Sequence, residues 1–210
     1  MTTAATQERH RFADELATAG PDAPTLCEGW TTRDLAAHIV VRDSRPDAAA
    51  GLVVPPLSSW TEKVQRGVAD RPFEKLVAQV RSGPPWWSFT RLGPVDRVIN
   101  TTEFFVHLED VRRAAEGWEV RSLDPELEAD LSAALRRSAR LVGRRVPTGL
   151  VLEPEGAEPI VVVDRTPSVT VSGPVGELVL LLFGRQAHAR VSYDGPDDAV
   201  EALRSASLGI

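Results

Sequence analysis

Apolar positions recur with helical period through the first half of the chain and alternate with polar ones in its last third. Over residues 3–19, Phe12 and Leu16 share one helix face, and Gly20-Pro21 closes the segment. A loop follows, Pro21-Asp-Ala-Pro-Thr-Leu-Cys-Glu-Gly-Trp30. Thr31 then reads as an N-cap, with Asp34 at the reciprocal capping-box position. The second helix runs to about Asp43 and turns Leu35, Ile39 and Val40-Val41 toward a core, with Pro46 shortly after its end. Residues 46–56, rich in Ala and Pro, read as a loop. Two shorter helices are predicted near 57–69 and 72–82, the second capped by Asp70. Gly83-Pro-Pro-Trp-Trp87 breaks the pattern, and its two rings read as core or as the lining of a pocket. No helix breaker occurs from Val95 to Glu116, so a long helix is predicted there, ending at Gly117. Four main helices with short connections predict an up-down bundle.

The character changes after Trp118. Leu127, Leu131, Leu135 and Ala139 keep helical spacing from Pro125 to about Val142. Short β-like runs come next. Gly149-Leu-Val-Leu-Glu153 and Ile160-Val-Val-Val163 flank Glu155-Gly156, a hairpin signal, and Ser168-Val-Thr-Val-Ser172 alternates with period two. Pro174 to Gly184 reads as a buried helix, Ala189 to Tyr193 as a last strand, and Pro196 to about Ser205 as a last helix. The prediction is therefore an all-α domain, residues 1–120, followed by a small α+β domain, residues 121–210.

At 210 residues and 42% hydrophobic content the chain can bury a real core. Its formal charge of -6, with arginines scattered among acids and only Lys63 and Lys75 as lysines, gives no basic stripe and argues against a nucleic-acid partner. The longest aliphatic run, Leu178 to Phe183, is far too short to span a bilayer. The first ten residues lack the apolar stretch of a signal peptide. Cys27 is the single cysteine, which rules out an intrachain disulfide and a cysteine zinc cluster. A cytoplasmic protein, a monomer or a homodimer with no membrane partner, is expected.

Candidate chemistry concentrates in Glu103-Phe-Phe-Val-His107. On a helix, positions i and i+4 lie on one face, so this carboxylate and imidazole can reach one metal ion. His38, on the second predicted helix, is a third candidate. Two histidines and a glutamate form a common catalytic zinc set that leaves a fourth position open. The bare pair has a plainer reading as an ordinary i,i+4 hydrogen bond, and His38 as a half-buried core histidine. His10 and His188 lack spaced partners and read as surface or structural. Cys27 has no base or acid beside it in the local sequence, which argues against a nucleophile.

Three motifs together change that balance. Leu26-Cys-Glu-Gly-Trp-Thr-Thr-Arg-Asp-Leu-Ala-Ala-His38 resembles the signature of the mycothiol-dependent maleylpyruvate isomerase family. Thr102-Glu-Phe-Phe-Val-His-Leu-Glu-Asp110-Val-Arg-Arg-Ala resembles that family's second metal motif, and Pro174-Val-Gly-Glu-Leu-Val-Leu-Leu-Leu-Phe-Gly-Arg185 resembles the core of its C-terminal domain. The resemblance implies a DinB-like metal-binding four-helix bundle followed by a sterol-carrier-like domain. It implies His38, Glu103 and His107 as metal ligands, with zinc as the expected divalent ion, although the same donors also accept nickel, iron or manganese. Asp34 and Asp110, one turn from the two histidines, are candidates for holding a ligand imidazole in its metal-binding tautomer, Asp34 having its capping role as the alternative. Trp30 fits packing at the loop-helix junction, and Arg112 and Arg113 a solvated helix face. Arg185 is a candidate carboxylate binder or a surface ion-pair former. The activity implied is isomerisation or sulfur transfer on a small electrophile, with a low-molecular-weight thiol such as mycothiol as co-substrate, in an actinobacterium. The alternative is a non-catalytic protein of the same fold that binds a metal or a small ligand. Metal-dependent hydrolysis ranks below both, because no general base stands out.

Overall fold

The computed structural model describes residues 3–49, 58–88 and 99–209, and these divide into two compact units, Met1–Glu119 and Val120–Ile210. In the first unit, α1 (Ala4–Ala19) begins where the Thr3 hydroxyl accepts from the Thr6 amide and ends at Gly20, whose φ of 80° only glycine adopts easily. The helix α2 (Thr32–Ser44) carries the expected capping box. Thr31 receives the Asp34 amide, and Asp34 Oδ2 in turn accepts from the Thr31 amide at 2.9 Å. A short α3 (Pro46–Ala49) follows directly.

That short helix corrects the reading of the segment after Pro46 as loop. Proline at a first helical position gives up no hydrogen bond that the helix needs, so Pro46 starts a turn as readily as it ends one. The remainder of that predicted loop, residues 50–56, lies outside the described residues. Next come α4 (Ser58–Ala69) and α5 (Phe73–Ser82). Asp70 does not cap α5. Pro72 holds the N-cap position with no side-chain hydrogen bond, its ring fixing the entry geometry instead.

The last helix of the unit is α6 (Thr101–Arg112). The predicted start at Val95 lies outside the described residues. The end falls one turn before Glu116, and Gly117 adopts a φ of 73° beyond it. Among the described residues α1 packs on α6 and α5, and α2 on α4 and α5. Their shared core joins Phe12, Leu16, Leu35, Ile39, Leu76, Val80, Phe104 and Leu108. Each such side chain contributes about 1.5–3 kcal/mol by leaving water.

Among the described residues no strand precedes Gly149; Pro24 and Thr31 form only an isolated bridge. The second unit opens with α7 (Pro125–Val142), capped by Asp124 and burying Leu127, Leu131, Leu135 and Ala139 as their spacing predicts. Its sheet has the order β2-β1-β3-β4. The strands β1 (Gly149–Pro154) and β2 (Ile160–Val163) form the antiparallel hairpin, β3 (Ser168–Gly173) joins β1 in parallel, and β4 (Ser192–Asp194) closes the edge antiparallel to β3. Gly149 is required at the head of β1, because a Cβ there would collide with the Arg165 carbonyl. The helix α8 (Val175–Leu182) is buried along its whole length and packs on α7 and on β1 and β3, while α9 (Asp197–Ser205) lies on β3. The predicted last strand is thus three residues long and starts at Ser192, not Ala189.

Candidate metal centre

The site lies where α2 and α6 face each other within the first unit. The capping box fixes the start of α2, and Leu35 and Ile39, both fully buried, fix its rotation. His38 is thereby turned from the core toward α6. On α6, Phe104 and Leu108 anchor the apolar face, which places Glu103 and His107 together on the adjoining one. The Nε2 atoms of His38 and His107 each lie 3.3 Å from the same oxygen, Glu103 Oε1. The two rings meet nearly edge to face, with centroids 5.4 Å apart. All three donor atoms lie within 4.8 Å of one another.

Behind these donors the site is sealed. Asp110 is fully buried, and its Oδ2 accepts the His107 Nδ1–H at 2.9 Å and the Cys27 thiol at 3.2 Å. Arg42, one turn beyond His38, brings Nε to 3.6 Å from Glu103 Oε1. The same guanidinium donates to Asp43 at 3.1 Å and to Asn100 Oδ1 at 2.5 Å. The Trp30 ring lies 5.2 Å from that of His38. The side chains of His38, His107 and Glu103 keep 12%, 13% and 23% of their exposure.

This packing splits the two imidazoles electrostatically. For His38, burial disfavours the charged ring, and the neighbouring His107 and Arg42 act the same way. The Glu103 hydrogen bond opposes them, and the pKa remains lowered. For His107, burial again favours the neutral ring, but the bonds to Asp110, Cys27 and Glu103 outweigh it and hold the pKa well above the ordinary value. Burial would also push Glu103 up. Hydrogen bonds from His107 and His38, with the Arg42 charge, hold its carboxyl well below the usual range instead. One carboxylate is thus held between two imidazoles whose pKa values are pushed apart, His107 upward and His38 downward.

This donor set fits a divalent metal ion. Two imidazole nitrogens and a carboxylate oxygen are zinc ligands by type, and both Nε2 atoms already point at one place. The proton that Asp110 holds on His107 Nδ1 leaves the Nε2 lone pair for the metal once the ring is deprotonated. His38 Nδ1 is buried without a hydrogen-bond partner among the described residues. A second donor group, Cys27, His107 and Asp110, shares His107 through its other nitrogen.

The other candidates sit elsewhere or do something else. Asp34 directs its carboxylate into the capping box, where it also accepts from the Thr31 hydroxyl at 2.7 Å. Arg185 belongs to the second unit, and its guanidinium donates to the Phe183 carbonyl at 2.5 Å. Arg113 is not on a solvated face: it is buried, pairs with buried Glu109 at 2.6 Å, and covers the Trp118 ring at 4.4 Å. Trp86 and Trp87, read as core or pocket, are 83% and 50% exposed. His10 is exposed and His188 half-buried. Sequence reasoning missed Arg42, Asn100 and the Cys27 contact. Arg42 carried a usable signal, because it lies four residues after His38 on the same face.

The comparisons agree with this architecture. Residues 2–85 match the mycothiol maleylpyruvate isomerase N-terminal domain. The crystal structure of the mycothiol-dependent maleylpyruvate isomerase superposes with a TM-score of 0.61 at 16% identity, covering 91% of this chain and 90% of that one. A histidine-to-alanine mutant of that enzyme gives 0.59 at 15% identity with the same coverage. The chain shares their fold. That fold is a helical first unit followed by a mixed α/β second one, as expected from the sequence. No curated protein matches the chain by sequence.

Proposed function

We propose that this protein is a cytoplasmic metal-dependent enzyme in which His38, Glu103 and His107 hold a divalent ion, zinc by donor type. Its co-substrate is a low-molecular-weight thiol such as mycothiol, and its reaction is isomerisation of a small electrophile or transfer of sulfur to it. The observation that carries this reading is the convergence of His38 Nε2 and His107 Nε2 on Glu103 Oε1 at the partly exposed end of a sealed polar cluster. The fold shared with a mycothiol-dependent isomerase supports the choice of thiol. A zinc ion bound by these donors would supply Lewis acidity, which lowers the pKa of a thiol and keeps it nucleophilic at neutral pH.

The chain's own residues have separable tasks. His38, kept neutral by burial, needs no deprotonation before it can donate a lone pair. Glu103, kept ionised, brings negative charge to the ion. Arg42 steadies that carboxylate from the side, and Asp110 sets the His107 tautomer. Three protein donors are one fewer than tetrahedral zinc takes, which leaves room for a thiol.

The test is metal analysis of the purified protein, followed by thermal-shift measurements with mycothiol and small electrophiles on the metal-loaded and chelator-treated forms. The proposal requires about one divalent ion per chain and a mycothiol-induced shift that depends on it. Metal without any thiol response favours the non-catalytic binding protein. No metal overturns the enzyme proposal and leaves only a small-ligand-binding protein of the same fold.

A further inference from the structure

We infer that Cys27 is a positioning residue of this centre and that the Leu26–Trp30 loop braces both histidines at once. The inference rests on the metal reading above and extends it to residues outside the three-donor set. Asp110 Oδ2 accepts two hydrogens, one from His107 Nδ1 at 2.9 Å and one from the Cys27 thiol at 3.2 Å. The carboxylate is fully buried, so no bulk water can replace the thiol there. One residue earlier, the Leu26 amide donates to the Asp110 backbone carbonyl at 3.0 Å. The loop is therefore attached to Asp110 at two points, one on the main chain and one on the side chain.

The same loop reaches the other histidine. The Trp30 ring packs 5.2 Å from that of His38, whose Nδ1 has no hydrogen-bond partner among the described residues. Packing against Trp30 therefore fixes a ring that polar contacts fix only at Nε2. The loop is stiff enough for this work. The Thr25 hydroxyl donates to the Trp30 carbonyl at 2.8 Å and accepts from the Cys27 amide at 3.2 Å, and the Trp30 amide donates to the Cys27 carbonyl at 3.0 Å. Five residues thus link a histidine on α2 to a histidine on α6, and the thiol is the contact that reaches the α6 carboxylate. In this arrangement Cys27 is neither nucleophile nor ligand. It donates one hydrogen bond that limits where Asp110 can swing, and so where His107 Nε2 points.

Zinc and cobalt affinities of the wild type, Cys27→Ala, Cys27→Ser and Asp110→Asn, measured by chelator competition, test this. Metal-free melting curves are recorded for each variant. Cys27→Ala is expected to weaken metal binding about tenfold, the low end for residues that orient a ligand, with little change in metal-free melting. Cys27→Ser, which restores an O–H donor, is expected to recover most of the loss. In the Asp110→Asn background Cys27→Ala is expected to have almost no further effect, because the two act through one carboxylate. Wild-type affinity in Cys27→Ala, or an equal loss in both backgrounds, overturns the inference. So does a thiolate-to-cobalt charge-transfer band in the wild type that Cys27→Ala abolishes, since Cys27 would then be a ligand. A wild type that binds no metal overturns the underlying reading and the inference with it. Should Cys27→Ala fail to fold, Cys27→Ser decides alone, a tenfold loss there counting against the role.

Discussion

His38 and Glu103 are 65 positions apart in the chain, yet their Nε2 and Oε1 atoms stand 3.3 Å from each other across the α2–α6 interface. Nothing local creates that contact. It follows from two apolar faces, Leu35 with Ile39 and Phe104 with Leu108, packing into one core. The site is therefore as rigid as the bundle, and substitutions at the donors should change chemistry more than folding.

Glu103→Gln tests this most directly. Glutamine keeps the size and one acceptor oxygen, and loses the charge. Metal affinity should fall by more than the ~10–100-fold typical of residues that only orient a ligand. The helical signal should be unchanged, and the His107 pKa should fall, because one of the bonds that raises it weakens. Competition with a chromogenic chelator and NMR titration of the imidazole check both. Unaltered metal affinity would remove Glu103 from the donor set.

Arg42→Met probes the buried side of the cluster. Arg42 is 8% exposed and pairs with Asp43 and Glu103, so its removal leaves buried carboxylate charge less compensated. Breaking a buried pair in this way costs about 3–5 kcal/mol. Urea unfolding of the metal-free variant should show a loss of that order, and Arg42→Lys a smaller one. A loss below about 0.5 kcal/mol, ordinary for a surface position, would show that the network contributes little.

Much of this site could be read in the sequence, and the reason is periodicity. Glu103 and His107 are one turn apart on any helix, and the capping box at Thr31 fixes the start of the helix that carries His38. The long helices, the hairpin and the apolar α8 were readable for the same reason, since burial writes its period into composition. The Cys27 contact was not, because Cys27 and Asp110 are 83 positions apart and no local pattern joins them. Arg113 misled for a related reason: an arginine beside another looks solvated, but its partner Glu109 lies inside. Trp86 and Trp87 misled because large aromatic rings are usually buried, whereas here both are exposed. The second unit offered no donor cluster from sequence, and Arg185 is occupied with a helix-end carbonyl.

Metal binding should release a proton, and the pH profile should show which histidine supplies it. In the metal-free protein the His107 pKa is raised above 6.5, whereas that of His38 is lowered. Below the His107 value the metal must displace its proton, so apparent affinity should rise about tenfold per pH unit and flatten once pH passes that value. The sign is opposite for the metal-free fold. A raised histidine pKa contributes stability that is full below 6.5 and is lost as pH rises through the folded value. Alkaline pH should thus weaken the metal-free protein while strengthening its grip on metal. Calorimetry in buffers of different ionisation enthalpy measures the proton count. Release of no proton near neutral pH would contradict the charged state of His107.

His107→Ala separates a catalytic metal from a structural one. The substitution removes one donor and leaves Phe104, Leu108 and the other core side chains in place. Bound metal stabilises a fold only in proportion to its occupancy, so a bundle with its own core should lose just that increment. In a structural site the metal-binding energy is itself the folding energy, and loss of a ligand unfolds the chain. The variant is expected to keep its helical circular dichroism, to contain less than about a tenth of the wild-type metal, and to lose any thiol-dependent activity. Loss of the imidazole also leaves the buried Asp110 carboxylate without its His107 partner, a cost of about 3–5 kcal/mol, visible as a lower melting temperature with unchanged cooperativity. Collapse of the helical signal on metal loss would instead make the ion a structural element and count against the enzyme. A folded, metal-free and inactive variant is the outcome that the separation of core from donors requires.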